Sequence, residues 1–385
     1  MRALLTCRPL TGHYRPMLPL ARALAAAGHE VAFASGEPIA GDAAADGFTS
    51  FRAGLGVDSR ELLRQKIPEA DSLPAAQIRP FMFRELFVNI ELEPRADDLM
   101  EIAGTWKPDV IVHEVAEFAG PLVGTAFGIP YADHAFGPAV QLDVIRAASE
   151  AAAPHWRAHG LEPDALAGFY RHLYVDICPP SLQTAEPVPA DVQELRAFES
   201  IPSSEPNPAW LDALPESATV YVTLGTMYNK QLGVFRTVLE GLRGEELNVV
   251  VTVGKQNDPA AFGPQPANVE IHRFVPQDLV LPECTLAVVH GGAGSTMGAL
   301  AFGLPLLLVP QGADQFFNTE RVVAAGAGIG LLPEQFSADS VRQAVQALLD
   351  DEAYHNAAQR VAREIAAMPG PARAVVALER LVTRA

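Results

Sequence analysis

The sequence predicts an α/β chain made of two Rossmann-like, doubly wound domains facing each other across a cleft. Three observations carry that expectation. Short apolar runs alternate with stretches of helical periodicity, in the order strand, helix, strand. The rhythm breaks in a proline-rich stretch around 178–217 and then restarts. The length, 385 residues, favours two domains over one.

Taken in order, "RALLTC" (2–7) is short and apolar, a strand. The turn "RPLTGHY" follows, and Pro16 stands where a first helical position tolerates a missing N–H. Met17, Leu20, Ala21 and Leu24 recur at helical spacing, and Gly28 suits the left-handed residue that follows a helix. "EVAFAS" (30–35) closes a strand–helix–strand unit. Phe83, Leu86, Phe87 and Ile90 make one helical face, "DVIVHE" (109–114) a strand, and "AGPLVGTAFGIP" (119–130) a short helix ended by Gly128 and Pro130. "CPPSLQTAEPVPADVQ" and "IPSSEPNPAW" lack periodicity and read as linker. Beyond them "TVYVTLGT" (219–226), "NVVVTVG", "LAVVH", "LPLLLVP" (304–310) and "GIGLLP" read as strands. "FRTVLEGL", "STMGALAFG", "FFNTERVVAAG" and "SADSVRQAVQALLDD" read as the helices between and after them, the last capped by Ser337. The expected division is a front domain over 1–200, a linker over 201–217 and a rear domain over 218–368. A closing helix over 369–385 is expected to pack back on the front domain.

Apolar residues make up 49 % of the chain, enough for sizeable cores, yet no run approaches the roughly 18 residues of a membrane span. The N-terminal apolar run is interrupted by Arg8 and Pro9, too early for a signal peptide, so a cytoplasmic location is expected. Cys7, Cys178 and Cys284 are far apart and show no pairing or metal pattern, which suits buried thiols. The net charge of −18 argues against nucleic acid, whose phosphates demand a basic face. It fits a neutral or cationic substrate, and equally a solvated acidic surface.

The most distinctive stretch is "VVHGGAGSTMGAL" (288–300), where His290 precedes Gly291, Gly292 and Gly294 at a strand-to-helix junction. A helix start offers unpaired N–H groups and the positive end of a dipole, and glycines let phosphate oxygens approach. Ser295 and Thr296 add hydroxyls. A diphosphate fits there; a tight turn packed for its own sake would carry the same glycines. The first turn holds a single glycine, so the dinucleotide pattern G-x-G-x-x-G is absent, and no G-x-x-x-x-G-K-[ST] loop occurs. A mononucleotide or nucleotide-sugar is the better match. Asp314 and Gln315 follow another strand, where an acid and an amide suit sugar hydroxyls, although Asp314 is also placed to cap the helix near Phe316.

"TGHYRPMLPL", "RFVPQDLVLP", "HGGAGST" and "VPQGADQFFN", in this order, resemble the signatures of family 1 glycosyltransferases of the GT-B fold. The likeness is strongest to bacterial enzymes that decorate antibiotics and other natural products, and it spans nearly the whole chain. It implies that His13 is the general base and that His290 touches the donor diphosphate together with the backbone at Gly292, Gly294, Ser295 and Thr296. It further implies that Phe274, Val275 and Gln277 hold the nucleobase, that Asp314 and Gln315 hold the transferred sugar, and that Gly225 and Thr226 line the phosphate region. Plant relatives place tryptophan where Phe274 stands. Relatives commonly pair the base with an aspartate; the matching residue is Glu114, with Glu117 and Asp109 as nearby alternatives.

The chemistry is consistent. An alcohol acceptor needs a base within hydrogen-bond reach, histidine's ordinary pKa suits that task, and a carboxylate on its other nitrogen fixes the tautomer. From the residues alone, His13 serves the turn as readily as catalysis. No D-x-D metal motif occurs in a strand–turn context, and Asp350 and Asp351 end a helix and read as solvated. Metal-independent transfer with no resident cofactor is therefore expected, the nucleotide-sugar being a co-substrate, and the resemblance implies inversion. "IRPFMFRELFVNI" (78–90) offers Phe81, Phe83 and Phe87 to an apolar acceptor, or to the helix's own core. Of the ten histidines most are expected at the surface, His155 and His159 among them. The expected partners are a nucleotide-sugar and a small, largely apolar acceptor, with neither nucleic acid nor membrane. A nucleotide-sugar epimerase of similar build and a non-catalytic nucleotide-sugar binder remain alternatives. A nicotinamide oxidoreductase is disfavoured by the missing glycines.

Overall fold

The computed structural model describes residues 1–57, 59–68, 73–198, 206–226 and 228–384. The chain forms two compact units, one of Met1–Cys178, Thr184–Ala197 and Met368–Ala385, the other of Pro179–Gln183 and Phe198–Ala367.

The first unit holds a seven-stranded sheet of β1 (Arg2–Thr6), β2 (Glu30–Ser35), β3 (Thr49–Arg52), β4 (Val110–Glu114), β5 (Tyr131–His134), β6 (Leu173–Asp176) and β7 (Asp191–Glu194). Its order is β3-β2-β1-β4-β5-β6-β7, with every pairing parallel. The second unit holds a six-stranded sheet of β8 (Thr219–Thr223), β9 (Asn248–Thr252), β10 (Val269–His272), β11 (Leu286–Val289), β12 (Leu306–Leu308) and β13 (Gly328–Gly330). Its order, β10-β9-β8-β11-β12-β13, repeats the first unit's winding, again all parallel. Strands covered on both faces read as continuous apolar runs, which is why Val110–Val112, Val249–Val251 and Leu306–Leu308 are buried without alternation.

In both sheets the winding reverses beside the first strand: between β1 and β4, and between β8 and β11. Doubly wound sheets bind ligands at the carboxyl ends of the strands flanking such a switch point, where the two connections diverge and leave a crevice. The residues after β1, β4, β8 and β11 are thus the places to look for chemistry.

The helix Pro371–Arg384 belongs to the first unit and packs on the helix Leu18–Ala26, burying Ala374, Val375 and Leu378. Glu379 Oε1 lies 3.0 Å from His29 Nε2 at that contact.

Three readings of the sequence need correction. The proline-rich stretch is not all linker: it contains β7, a short edge strand against β6, and the helix Ala209–Asp212, while 201–205 lies outside the described residues. An edge strand has one pairing partner and largely exposed side chains, so no apolar run announced it. Pro16 does not open the long helix; it sits in a 3₁₀ turn, Arg15–Met17, between the short helix Thr11–Tyr14 and Leu18–Ala26. The face carrying Phe83 is a π-helical segment, Met82–Val88, continuing the helix Ala75–Phe81. Among the described residues, no helix is long and apolar enough to cross a membrane. Cys7 and Cys178 are buried and Cys284 half-buried, all three free thiols, and burial pushes Cys7 and Cys284 up to about 12. Ser337 caps its helix as expected, its hydroxyl accepting from the Ser340 N–H.

Candidate active site

The parallel register of β1 and β4 sets Thr6 beside His113, so the residues that follow both strands emerge together at the first sheet's switch point. After β1 the chain turns at Leu10, whose carbonyl accepts from the His13 N–H at 2.9 Å, and the short helix presents the His13 ring. Glu114, the last residue of β4, is fully buried, and its Oε1 lies 2.9 Å from His13 Nδ1 in a close but non-linear contact. The same carboxylate accepts from the Arg8 N–H at 3.2 Å and the Ala116 N–H at 2.7 Å. Burial pushes the Glu114 carboxyl up, but His13, Arg8 and the Ala116 amide outweigh it and hold the group below its ordinary value. An ionised carboxylate at Nδ1 favours the proton on that nitrogen and leaves Nε2 as the basic atom. Phe136, just past β5, sets its ring 4.8 Å from the His13 ring, tilted by 52°.

The other two acids are engaged elsewhere. Asp109 is exposed and accepts from the Arg2 N–H at 2.6 Å. Glu117 accepts from the Ala119 and Gly120 N–H groups at 2.6 and 3.0 Å, closing the start of the helix Ala119–Phe127.

Beneath His13 lies a buried ionic layer. Arg8 forks onto Glu91, Nε to Oε2 at 2.6 Å and Nη2 to Oε1 at 2.7 Å, and Ser59 Oγ donates to Oε1 at 2.6 Å. The Arg8 guanidinium also sits 4.0 Å over the Phe87 ring. Deeper, His113 Nε2 lies 3.2 Å from Asp133 Oδ1; burial disfavours the charged ring, but Asp133 more than offsets this and raises its pKa.

His134, beside Glu114 in the register of β4 and β5, bonds the Ala135 carbonyl through Nδ1 at 2.6 Å. Burial pushes its ring down to about 4. The unfolded chain, with histidine near 6.5, binds the proton first as pH falls, so His134 favours the fold above about 6.5 and loses that contribution between 6.5 and 4. Glu117, pushed up mainly by burial, opposes it over part of that window. The difference between wild type and His134→Asn isolates the ring: urea unfolding of the variant should lose less stability from pH 7 to 5 than wild type. Equal losses would remove His134 from the acid response.

The second unit repeats the placement. Gly225 follows β8, and His290 follows β11 at that sheet's switch point. The glycines there do different jobs. A Cβ on Gly292 would overlap His290 Nε2, and one on Gly225, at φ +66°, would sit 2.6 Å from His290 Cε1. Both glycines therefore make room for the imidazole. Gly291, at φ +84°, has a side that presses on the Gln315 carbonyl and Thr319, whereas Gly294 faces open space. Gly292 is the N-cap of the helix Ala293–Ala301, so the Gly294 and Ser295 amides lie in the first turn, without partners inside the helix. The Thr296 amide, expected at the phosphates, is already bonded to the Gly292 carbonyl at 3.0 Å; only its buried hydroxyl lacks a partner. Burial pushes His290 down to about 4 despite Asp314, so its ring is neutral at pH 7 and hydrogen-bonds rather than pairing as a cation.

Asn229 Nδ2 donates to the Gly225 and Thr226 carbonyls at 2.9 and 3.2 Å and fixes that turn. Tyr228, which the sequence did not single out, places its ring 6.2 Å from His290 and its hydroxyl against Gly312. Val275 is buried, Gln277 half-buried against Tyr221 and Gly298, and Phe274 is 52 % exposed with Lys255 Nζ 5.2 Å over its ring.

Asp314 and Gln315 differ. Gln315 is buried, and its Oε1 accepts from the Gln311 and Gly312 N–H groups at 2.7 and 3.2 Å, so its carbonyl is spent on the loop. Asp314 is half-buried at the N-cap of the helix Gln315–Ala324 but makes no side-chain cap bond; it accepts from Asn318 Nδ2 at 2.8 Å. Phe83 and Phe87 are buried: they pack on each other at 4.9 Å, Phe83 also meets Phe118 at 6.2 Å, and both are at most 8 % exposed. Phe81 is half-buried. His155 and His159 are half-buried beside Glu93, and His113 and His134 are fully buried, so the histidines are less superficial than composition suggested.

The sequence matches the family model of the erythromycin biosynthesis protein CIII-like N-terminal domain over residues 22–225 and that of the corresponding C-terminal domain over 236–381. It is 33 % identical over 379 residues to L-demethylnoviosyl transferase of Streptomyces niveus, covering 97 % of this chain and 96 % of that one. With tylactone mycaminosyltransferase of Streptomyces fradiae the identity is 29 % over 427 residues, 99 % of this chain and 92 % of the relative. The solved structure of spinosyn rhamnosyltransferase SpnG with thymidine diphosphate superposes at a TM-score of 0.79 and 27 % identity, covering 98 % of this chain and all of that one. Two parallel-sheet units with the same winding, a histidine after each switch point and family models over both halves lead to one conclusion: the chain belongs to the erythromycin biosynthesis protein CIII-like family and is a GT-B glycosyltransferase of the antibiotic-tailoring kind.

Proposed function

We propose that the enzyme moves a sugar from a thymidine- or uridine-diphosphate donor to a hydroxyl of a small, largely apolar natural product, with inversion and without a metal. The observation that carries this reading is the contact between His13 and the buried, ionised Glu114 at a sheet's switch point. His13 takes the acceptor's proton as its oxygen attacks the anomeric carbon, Glu114 stabilises the imidazolium that forms, and attack opposite the diphosphate inverts the centre. His290, Gly294 and Ser295 meet the charge that develops on the leaving diphosphate. The thymidine diphosphate held by the SpnG structure and the sugars in the relatives' names support a nucleotide-sugar donor, thymidine before uridine.

The test is release of nucleoside diphosphate from a panel of sugar nucleotides, with and without phenolic and macrolide acceptors, in buffer with EDTA. Release that requires acceptor and survives EDTA is expected. Isomerised sugar nucleotide without acceptor would instead identify an epimerase, and release that EDTA abolishes would refute metal independence. His290→Ala should weaken thymidine diphosphate binding about 10- to 100-fold by calorimetry, the range for a lost hydrogen bond to a charged group. Unchanged affinity would take His290 away from the diphosphate.

A further inference from the structure

One cluster in the first unit has no part in the transfer described above. The helix Leu92–Trp106 buries Leu92, Arg95, Ala96 and Leu99, which leaves Glu93 and Asp97 one turn apart on its flank. The helix Leu142–Ala158 buries Ala148, Ala152 and Trp156 and carries His155 and its C-cap residue His159 at the same one-turn spacing. The two flanks meet. His155 Nδ1 is 2.6 Å from Glu93 Oε2, and His159 Nε2 is 3.2 Å from Glu93 Oε1. Ligand atoms of Glu93, Asp97 and His159 all lie within 4.8 Å of one another.

Two carboxylates and an imidazole, from Glu93, Asp97 and His159, are a donor set for a divalent transition metal, and His155 is bonded to Glu93 beside them. Bonds of about 2.0–2.1 Å in a tetrahedron place donor atoms about 3.3 Å apart. His159 and Glu93 already stand at that separation, at 3.2 Å. His155 lies at hydrogen-bond distance from the other Glu93 oxygen and so orients that carboxylate. Imidazole ligands favour zinc, nickel or cobalt over magnesium or calcium. One acid bonded to one histidine would be an ordinary surface ion pair. Here a single carboxylate bridges two rings while a second acid reaches the same point.

We propose that Glu93, Asp97 and His159 form a zinc-class site that clasps the two helices, with His155 positioning the Glu93 carboxylate. These residues stand on the helices Leu92–Trp106 and Leu142–Ala158, whereas His13 and Glu114 stand on the helix Thr11–Tyr14 and on β4, so the ion braces the fold rather than taking part in transfer.

The experiment uses full-length, tag-free protein stripped with EDTA and returned to EDTA-free buffer. One equivalent of Zn²⁺ should bind by calorimetry, Co²⁺ should give a visible ligand-field band, and added Zn²⁺ should raise the melting temperature by mass action. His155→Ala, His159→Ala and the isosteric Glu93→Gln should each weaken Zn²⁺ binding about tenfold or more, since even second-shell partners of a metal are worth about 10- to 100-fold. Their transfer rates and metal-free melting temperatures should stay at the wild-type values, showing intact folds. No saturable uptake at 100 times the protein concentration would leave an ion-pair clasp only and overturn the proposal. So would uptake undiminished in the His155→Ala/His159→Ala double variant.

Discussion

Replacing His13 with alanine should lower kcat about 10³-fold while changing the affinity for thymidine diphosphate less than about twofold. Proton removal by a positioned base contributes roughly 10²–10⁴ to a rate, and alanine leaves no group to replace it. The binding half of the prediction follows from the division of labour. His13 and Glu114 stand on the first sheet, whereas Gly225, His290 and the amides of the helix Ala293–Ala301 stand on the second. Single-turnover transfer and calorimetry, run on the same preparation, check the two halves. Equal loss of rate and of diphosphate affinity would make His13 a structural residue.

Arg8→Met should destabilise the protein by about 3–5 kcal/mol, the usual cost of removing one partner of a buried ion pair. Arg8 and Glu91 are 2–3 % exposed, and the fork between them is both short and double. Without Arg8, burial would dominate at Glu91, leaving a carboxylate supported by Ser59 and by the more distant Arg95. In wild type, burial pushes Glu91 up but Arg8 more than offsets it and keeps the group below its ordinary value. Its contribution is therefore present above the unfolded carboxyl value of about 4.3 and is lost as pH falls through the lower folded value. In Arg8→Met the carboxyl rises, so the variant's deficit should narrow as pH falls below about 5. Urea midpoints at pH 7 and 4.5 measure this. A constant deficit would assign the loss to packing on Phe87 instead, and the double variant Arg8→Met/Glu91→Met should recover most of the stability if the stranded charge is the cause.

Much of this was legible in the residues, unevenly so. The central strands announced themselves because a parallel strand covered on both faces is apolar along its length, as at Val249–Val251 and Leu306–Leu308. The edge strand β7 did not, since exposed side chains carry no pattern. "HGGAGST" pointed to a strand–helix junction, but not to why each glycine is there. Gly292 and Gly225 yield to the His290 ring, Gly291 to a backbone carbonyl, and Gly294 alone faces open space. At Phe83 and Phe87 an apolar face has one appearance in sequence whether it meets a ligand or its own core, and only the structure shows Phe118 and Arg8 against these rings. Phe136 and Tyr228 carried too little local signal to be picked out, an aromatic after a strand being common.

The sequence by itself determined the alternation of strands and helices, the two halves and the residue types at each turn, because burial recurs with the period of the local backbone. Only the tertiary structure decided which acid meets His13. Asp109, Glu114 and Glu117 are chemically alike and close in sequence. The parallel register of β1 on β4 brings Glu114 to the ring, while Glu117 turns to its helix and Asp109 to the Arg2 amide. Pairing between strands far apart in the chain is fixed by how whole layers pack, and no short-range pattern of residues encodes it.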